Sequence, residues 1–171
     1  MRRRFAVLLP LVAMLAACWQ SDVPLIADKD AETPDIAGEY KEQGPGFAVT
    51  ITRAGKDYTY QKREADGSLL RRQLRFDQLQ GDYYLVQSRT LADTGGMEAP
   101  FYRLVRIRQG TITEYQPACG APEITFEGVS SSEGDCSFTT YKGLRDAALG
   151  RLELAQGGDP LSLTLEATYV K

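Results

Sequence analysis

The residues of this chain best suited to covalent chemistry are three cysteines, Cys18, Cys119 and Cys136, and there is no histidine to activate them. Without histidine, Ser-His-Asp triads, Cys-His dyads, HExxH zinc sites and His-ligated haem are all excluded. Paired carboxylates can carry out acid–base chemistry alone, but the spacing of Glu114, Glu123, Glu127 and Asp135 brings no two of them to a common point. Ser130-Ser131-Ser132 falls in an expected loop with neither a GxSxG setting nor an SxxK lysine. Tyr141 and Lys142 are neighbours whose side chains diverge on a helix. Gly44-Pro45-Gly46 and Gly95-Gly96 read as turns, because no strand-to-helix setting with a following Lys-Ser/Thr accompanies them. The expectation is a noncatalytic protein with no cofactor and no metal site.

Cys18 stands at the end of an ordered series. Arg2, Arg3 and Arg4 come first, then an apolar run from Phe5 to Ala17 broken only by Pro10, closing on Leu15-Ala16-Ala17-Cys18. The run is too short to span a bilayer as a mature helix. This order of charge, apolar run, small residues and cysteine resembles the export signal of bacterial lipoproteins. The resemblance covers residues 1 to 18. It implies cleavage before Cys18, a thioether-linked diacylglycerol on its sulfur and an acylated amine. At about 0.8 kcal/mol per buried methylene, several chains make an effectively permanent anchor. The membrane is then the first partner, and the protein is a cell-envelope lipoprotein facing the periplasm. In that family the residue after the cysteine influences sorting, and Trp19, where an aspartate would signal inner-membrane retention, points to the outer membrane.

Residues 1–17 are therefore expected to be a signal peptide, and 18–35 a lipidated N-terminus and flexible tether. The stretch from Trp19 to Asp35 mixes acidic, small and proline residues without either regular apolar period. Fully extended, it reaches roughly 55 to 60 Å. About 150 residues remain after the signal, the size of one domain, expected over 36–171. Leaving out the three signal arginines, 17 basic residues face 23 acidic ones. That excess of negative charge argues against nucleic acid as a partner. Charge is uneven, however: residues 53–108 carry eleven Lys or Arg and seven Asp or Glu, whereas 109–171 carry four and nine. Cys119 and Cys136 form an even pair in a compartment where disulfides persist, and a bond between them is expected. It would close a Gly/Ser-rich connection that local propensity leaves loose, worth about 3 kcal/mol in the chain-entropy account.

From Ile36 onward, strands alternate with turn signals. Phe47, Val49 and Ile51 alternate with Ala48, Thr50 and Thr52, and Gly55 turns the chain toward Tyr58 and Tyr60. Asp66-Gly67, Gly81-Asp82 and Gln109-Gly110 mark further turns. Leu161, Leu163, Leu165, Ala167 and Tyr169 alternate with polar residues as a last, half-buried strand. Between Thr139 and Leu154, Tyr141, Leu144, Ala148 and Leu152 recur at helical spacing, with Thr139 or Thr140 as N-cap. Gly143 and Gly150 weaken that helix by about 1 kcal/mol each relative to Ala. The fold class expected is mainly β: a small antiparallel meander barrel with one short C-terminal helix before the last strand. An α+β open antiparallel sheet packed on the helix is the alternative. The order resembles lipocalins and related calycins, and Gly38-Glu39-Tyr40 resembles their Gly-x-Trp with Tyr in place of Trp. That likeness spans 36–171 and implies carriage of an amphipathic small molecule.

Candidate ligand residues follow from the strand pattern. Tyr58, Tyr60, Phe76 and Tyr83 combine an apolar body with, in the tyrosines, a polar tip, which suits either an amphipathic ligand or a filled core. Arg72 and Arg103 fall in register with apolar residues, so both are expected to point inward. Arg71 with Arg75, and Arg106 with Arg108, share outward faces; they read as a solvated surface, or as one basic patch if their strands adjoin. Two functions stay open: binding of an amphipathic small molecule or envelope component, and a protein–protein module such as an assembly subunit or hydrolase inhibitor acting through residues 120–135.

Overall fold

The computed structural model describes residues 18–171, and the expected signal peptide 1–17 lies outside the described residues. The elements are β1 (Trp19–Gln20), β2 (Gly38–Glu42), β3 (Ala48–Ala54), β4 (Asp57–Arg63), β5 (Leu69–Gln80), β6 (Tyr83–Thr90), β7 (Phe101–Arg108), β8 (Thr111–Pro117), β9 (Val129–Ser132), β10 (Asp135–Phe138), α1 (Tyr141–Gln156) and β11 (Leu163–Val170). Strands β2 to β8 pair antiparallel in chain order, and β11 enters between β8 and β2. The ring of eight is closed, which leaves the barrel itself no free edge. The expected barrel forms and the open sheet does not.

Local chemistry explains the meander. Val49 and Ile51 point inward while Thr50 and Thr52 point out, the period-2 signature of a half-buried strand. Gln109 and Gly110 both have positive φ, 49° and 78°, the two-residue geometry whose twist matches the strands it joins. Glu133 and Gly134 repeat it at 53° and 91° between β9 and β10. That turn corrects one expectation, because Ser130, Ser131 and Ser132 lie in strand β9 and not in a loop. The Cys119–Cys136 disulfide is present, and the chain it closes is ordered as a 3-10 turn followed by this hairpin. Weak strand propensity at the serines is overridden by the tight turn and by β10 pairing with β1.

The last strand departs from simple alternation. A bulge at Glu166 shifts the register between Leu165 and Ala167, so residues of one parity serve two faces. Leu163 packs outside the barrel, Ala167 and Tyr169 pack inside, and Leu161 and Leu165 are left exposed.

Two cores result. Inside the barrel lie Tyr40, Val49, Ile51, Tyr58, Tyr60, Phe76, Val86, Val105, Ile112 and Tyr169. Outside, Leu85, Tyr102 and Leu104 from β6 and β7 are covered by Leu144, Ala147 and Ala148 of α1, by Phe138, and by Trp19 and Ile26. Helix α1 starts where Thr140 Oγ1 accepts the Gly143 amide at 3.1 Å. The covering layer revises the expected tether: Trp19 is 0% exposed, Ile26 1% and Ala31 1%. Trp19 sits between β7 and β10, its Nε1 donating to Ala118 O at 3.1 Å. Farther on, Pro34 O and Ile36 O accept the hydroxyls of Tyr58 and Tyr40, so residues 34–36 plug one end of the barrel. The segment is anchored by sparse apolar residues without period, a pattern that in sequence resembles a linker.

Candidate functional site at the barrel mouth

Opposite the 34–36 plug, the barrel opens. The turns at 55–56, 81–82 and 109–110 cluster at the plugged end, and the connections 64–68 and 91–100 surround the open one. Alternation aims Tyr60, Arg72, Phe101, Arg103, Glu114 and Tyr169 inward at this end, because each shares its strand's inner face with a core residue. Below them is an internal cavity of about 40 Å³ lined by Tyr60, Arg72, Phe76, Val86, Arg103 and Ile112 among others. Above them an open cavity of about 500 Å³ reaches the rim at Cys18, Gln20, Lys62 and Pro100. Small-molecule sites occupy about 300–1,000 Å³, so the mouth has room for a ligand. The inner cavity has room only for a few waters.

The mouth holds three cations. Lys62 pairs with Glu42 and Glu64, each at 3.3 Å, and Arg103 lies 3.7 Å from Glu114. Arg72 has no carboxylate within 4 Å among the described residues. Its guanidinium instead lies between two rings, 5.1 Å from the centre of Phe101 and 5.7 Å from that of Tyr60. Its Nε is shut off from solvent and makes no hydrogen bond. Tyr169 donates its hydroxyl to Glu114 at 3.3 Å. Burial, then the Glu114 charge, pushes the Tyr169 phenol far above its ordinary value. Burial also raises that of Tyr60. Both stay protonated, and Tyr169 commits its hydroxyl proton to Glu114; Arg72 with its aromatic walls is then the cation that can receive an anionic group, in a cavity that Glu42, Glu114 and Glu166 also line.

Of the six expected ligand residues, Tyr60, Arg72, Phe76 and Arg103 come together on the inner cavity, and Tyr60, Arg72 and Arg103 also line the mouth. Tyr58 is elsewhere, buried at the plugged end with its hydroxyl on Pro34 O. Tyr83 lies on the outer wall under the Arg106 guanidinium. The single basic patch does not form, since β6 separates β5 from β7. Arg75 is occupied by Asp57, with Nε 2.6 Å from Oδ1, and by Asp28 at 2.8 Å. Arg108 faces Asp82. Glu114 and Tyr169 were missed as site residues, although Glu114 shares parity with inward Ile112 and Tyr169 falls in the inward set of β11. Among the described residues no group of three metal-binding side chains is arranged to hold an ion. No family model, curated protein or solved structure matches the chain.

Proposed function

We propose that this protein is a noncatalytic, lipid-anchored envelope protein of the periplasmic side, outer membrane rather than inner, whose barrel mouth binds an anionic amphipathic molecule. The observation that carries the binding reading is Arg72: a half-buried cation with two aromatic walls and, among the described residues, no carboxylate partner, lining a cavity of about 500 Å³. An incoming carboxylate or phosphate would give this guanidinium the charged partner it lacks among the described residues. The inner cavity is too small for an acyl chain, so the ligand's apolar part stays at the mouth beside Phe101 and Pro100. Support for the anchor comes from Asp135, whose Oδ1 accepts the Cys18 amide at 2.7 Å. A carboxylate there suits both a newly freed amine and an acylated one, which keeps its N–H.

Native mass spectrometry tests the ligand. The chain from Trp19, exported behind a cleavable signal without lipid attachment, is expected to carry an anionic amphiphile that is lost on denaturation and is absent from Arg72→Met. A bare protein in both cases removes the ligand reading. One observation favours the second reading, a protein–protein module: β9 is the outer edge of the sheet extension, with Ser130, Ser131 and Ser132 exposed. Stoichiometric capture of an envelope protein, abolished by changes within 120–135, would put that reading first.

A further inference from the structure

The anchor residue has no slack. Cys18 donates its amide to Asp135 Oδ1 at 2.7 Å, and its carbonyl oxygen accepts from the Cys136 amide at 2.8 Å. Both partners belong to β10, which is tied to Cys119 by the disulfide. Trp19, the next residue, is fully buried between β7 and β10. Ser21 N then donates to Pro100 O at 3.2 Å, on the connection that surrounds the mouth. Cys18 itself lines the mouth cavity together with Arg72, Phe101 and Arg103. A lipid on Cys18 therefore leaves the protein at the rim of the open end, with no free chain between lipid and fold.

We infer that the domain rides directly on its membrane with the barrel mouth toward the bilayer, and that the group received by Arg72 is the phosphate of a phospholipid headgroup. This rests on lipidation of Cys18, and it deepens the binding reading by naming the ligand's source. The fold fixes the orientation, since the plugged end with the turns 81–82 and 109–110 is the far end of the barrel. Arg72 and Tyr60 line this cavity, where the guanidinium, flanked by aromatic rings and without a carboxylate partner among the described residues, matches the acceptor oxygens of a phosphodiester. The apolar walls at Ala99, Pro100 and Phe101 stand where the glycerol end of such a lipid would lie.

The test uses the full lipidated chain in vesicles of phosphatidylethanolamine and phosphatidylglycerol, with the lipid on Cys18 verified by mass. Amide hydrogen exchange is compared with that of a chain carrying twelve Gly/Ser residues inserted between Cys18 and Trp19. Exchange at 64–68 and 91–99 is expected to be at least threefold slower in the natural chain, with 81–82 and 109–110 alike in both. A photoactivatable headgroup analogue of phosphatidylethanolamine is expected to label the mouth, and Arg72→Met to cut that labelling at least threefold. Equal exchange at 64–68 and 91–99 in the two chains, protection at 109–110 instead, or labelling indifferent to Arg72→Met each overturns the inference. With the lipid confirmed, these results leave the anchor reading standing. A Cys18 that carries no lipid removes the anchor reading and this inference with it.

Discussion

Arg72 and Phe101 approach each other across the floor of the barrel mouth, the guanidinium carbon 5.1 Å from the ring centre. The contact fixes the cation without neutralising it. A buried donor left unpaired costs about 1–3 kcal/mol, whereas the two cation–π contacts, to Phe101 and Tyr60, return about 0.5–1 kcal/mol each. The terms nearly cancel, so Arg72 adds little to the stability of the unliganded protein. Arg72→Met, which keeps an unbranched stem and removes charge, is expected to change stability by less than about 1 kcal/mol in chemical denaturation while removing ligand binding. A loss well beyond about 1 kcal/mol would mean that the guanidinium is structurally satisfied and has no need of a ligand.

Two glycines in one helix make opposite predictions. A β-carbon on Gly143 would stand 2.1 Å from the carbonyl oxygen of Glu127, a main-chain atom that cannot step aside. On Gly150 it would meet only the edge of the Phe126 ring at 3.8 Å, an ordinary contact. Gly143→Ala is expected to destabilise by about 3 kcal/mol, at the upper end of overpacking effects. Gly150→Ala is expected to stabilise by up to about 1 kcal/mol through helix propensity. Thermal melts of the two variants, shifting in opposite directions, are the check.

How much of this was legible in the sequence depended on whether a residue's role was local. Turn pairs such as Gln109-Gly110 and alternating runs such as Val49 to Thr52 have their cause within a few residues, so the barrel could be read. The cysteine pair was also readable, because with Cys18 set aside at the end of the apolar N-terminal series only Cys119 and Cys136 are left to pair. The roles of Trp19 and Ile26 were not: each docks by itself on a surface made by β7, β10 and α1, and isolated apolar residues carry no period. Glu166 hid its bulge for the same reason, since the shift is set by what Leu163 and Tyr169 find on opposite faces. At the site, parity correctly turned Arg72 and Arg103 inward. That Tyr58 lies at the plugged end and Tyr83 on the outer wall was not readable, because composition alone does not tell which end or which wall of a barrel a tyrosine occupies.

Arg151 and Glu123 form the most buried ion pair, with Nη2 2.6 Å from Oε2 and the Glu123 side chain 1% exposed. Glu123 Oε2 also accepts the Gly120 amide at 2.8 Å, fixing the chain next to the disulfide. Removing one partner leaves a buried charge, which typically costs about 3–5 kcal/mol. Arg151→Met is expected to fall in that range, and the double variant Glu123→Gln, Arg151→Met to recover most of it, since the amide oxygen still accepts from Gly120. Urea titration of the three proteins decides; equal losses in the single and double variants would assign the effect to packing of the arginine stem.

Asp77 gives a pH prediction. It is 5% exposed and faces α1, accepting from the Tyr141 hydroxyl at 2.9 Å with Arg145 at 3.3 Å. Burial nevertheless dominates and raises its carboxyl above the ordinary value of 3.8; Tyr141 and Arg145 oppose the shift, and Asp30 adds to it. A raised carboxyl binds its proton more tightly in the folded state, so its stabilising contribution is full below 3.8 and is lost as pH rises through the folded value. Relative to Asp77→Asn, the natural protein is expected to lose stability as pH climbs from about 3.8 toward neutrality, then level off. A difference that grows with pH would mean that Tyr141 and Arg145 outweigh burial.

Trp19 is the chain's one tryptophan, and its environment separates a docked N-terminus from a tether. Its ring is fully buried, packed 4.9 Å from Phe138 and hydrogen-bonded to Ala118 O, one residue from the disulfide. Fluorescence of the native protein is therefore expected to be blue-shifted and almost immune to iodide, and to become solvent-like only in the global unfolding transition. Reducing the Cys119–Cys136 bond is expected to lower that transition by about 3 kcal/mol without exposing Trp19 first, because β7 and β10 hold it from both sides. Emission that is red-shifted and quenched in the native state would return residues 18–35 to the role of a free tether, and with it would free the barrel mouth from the membrane surface.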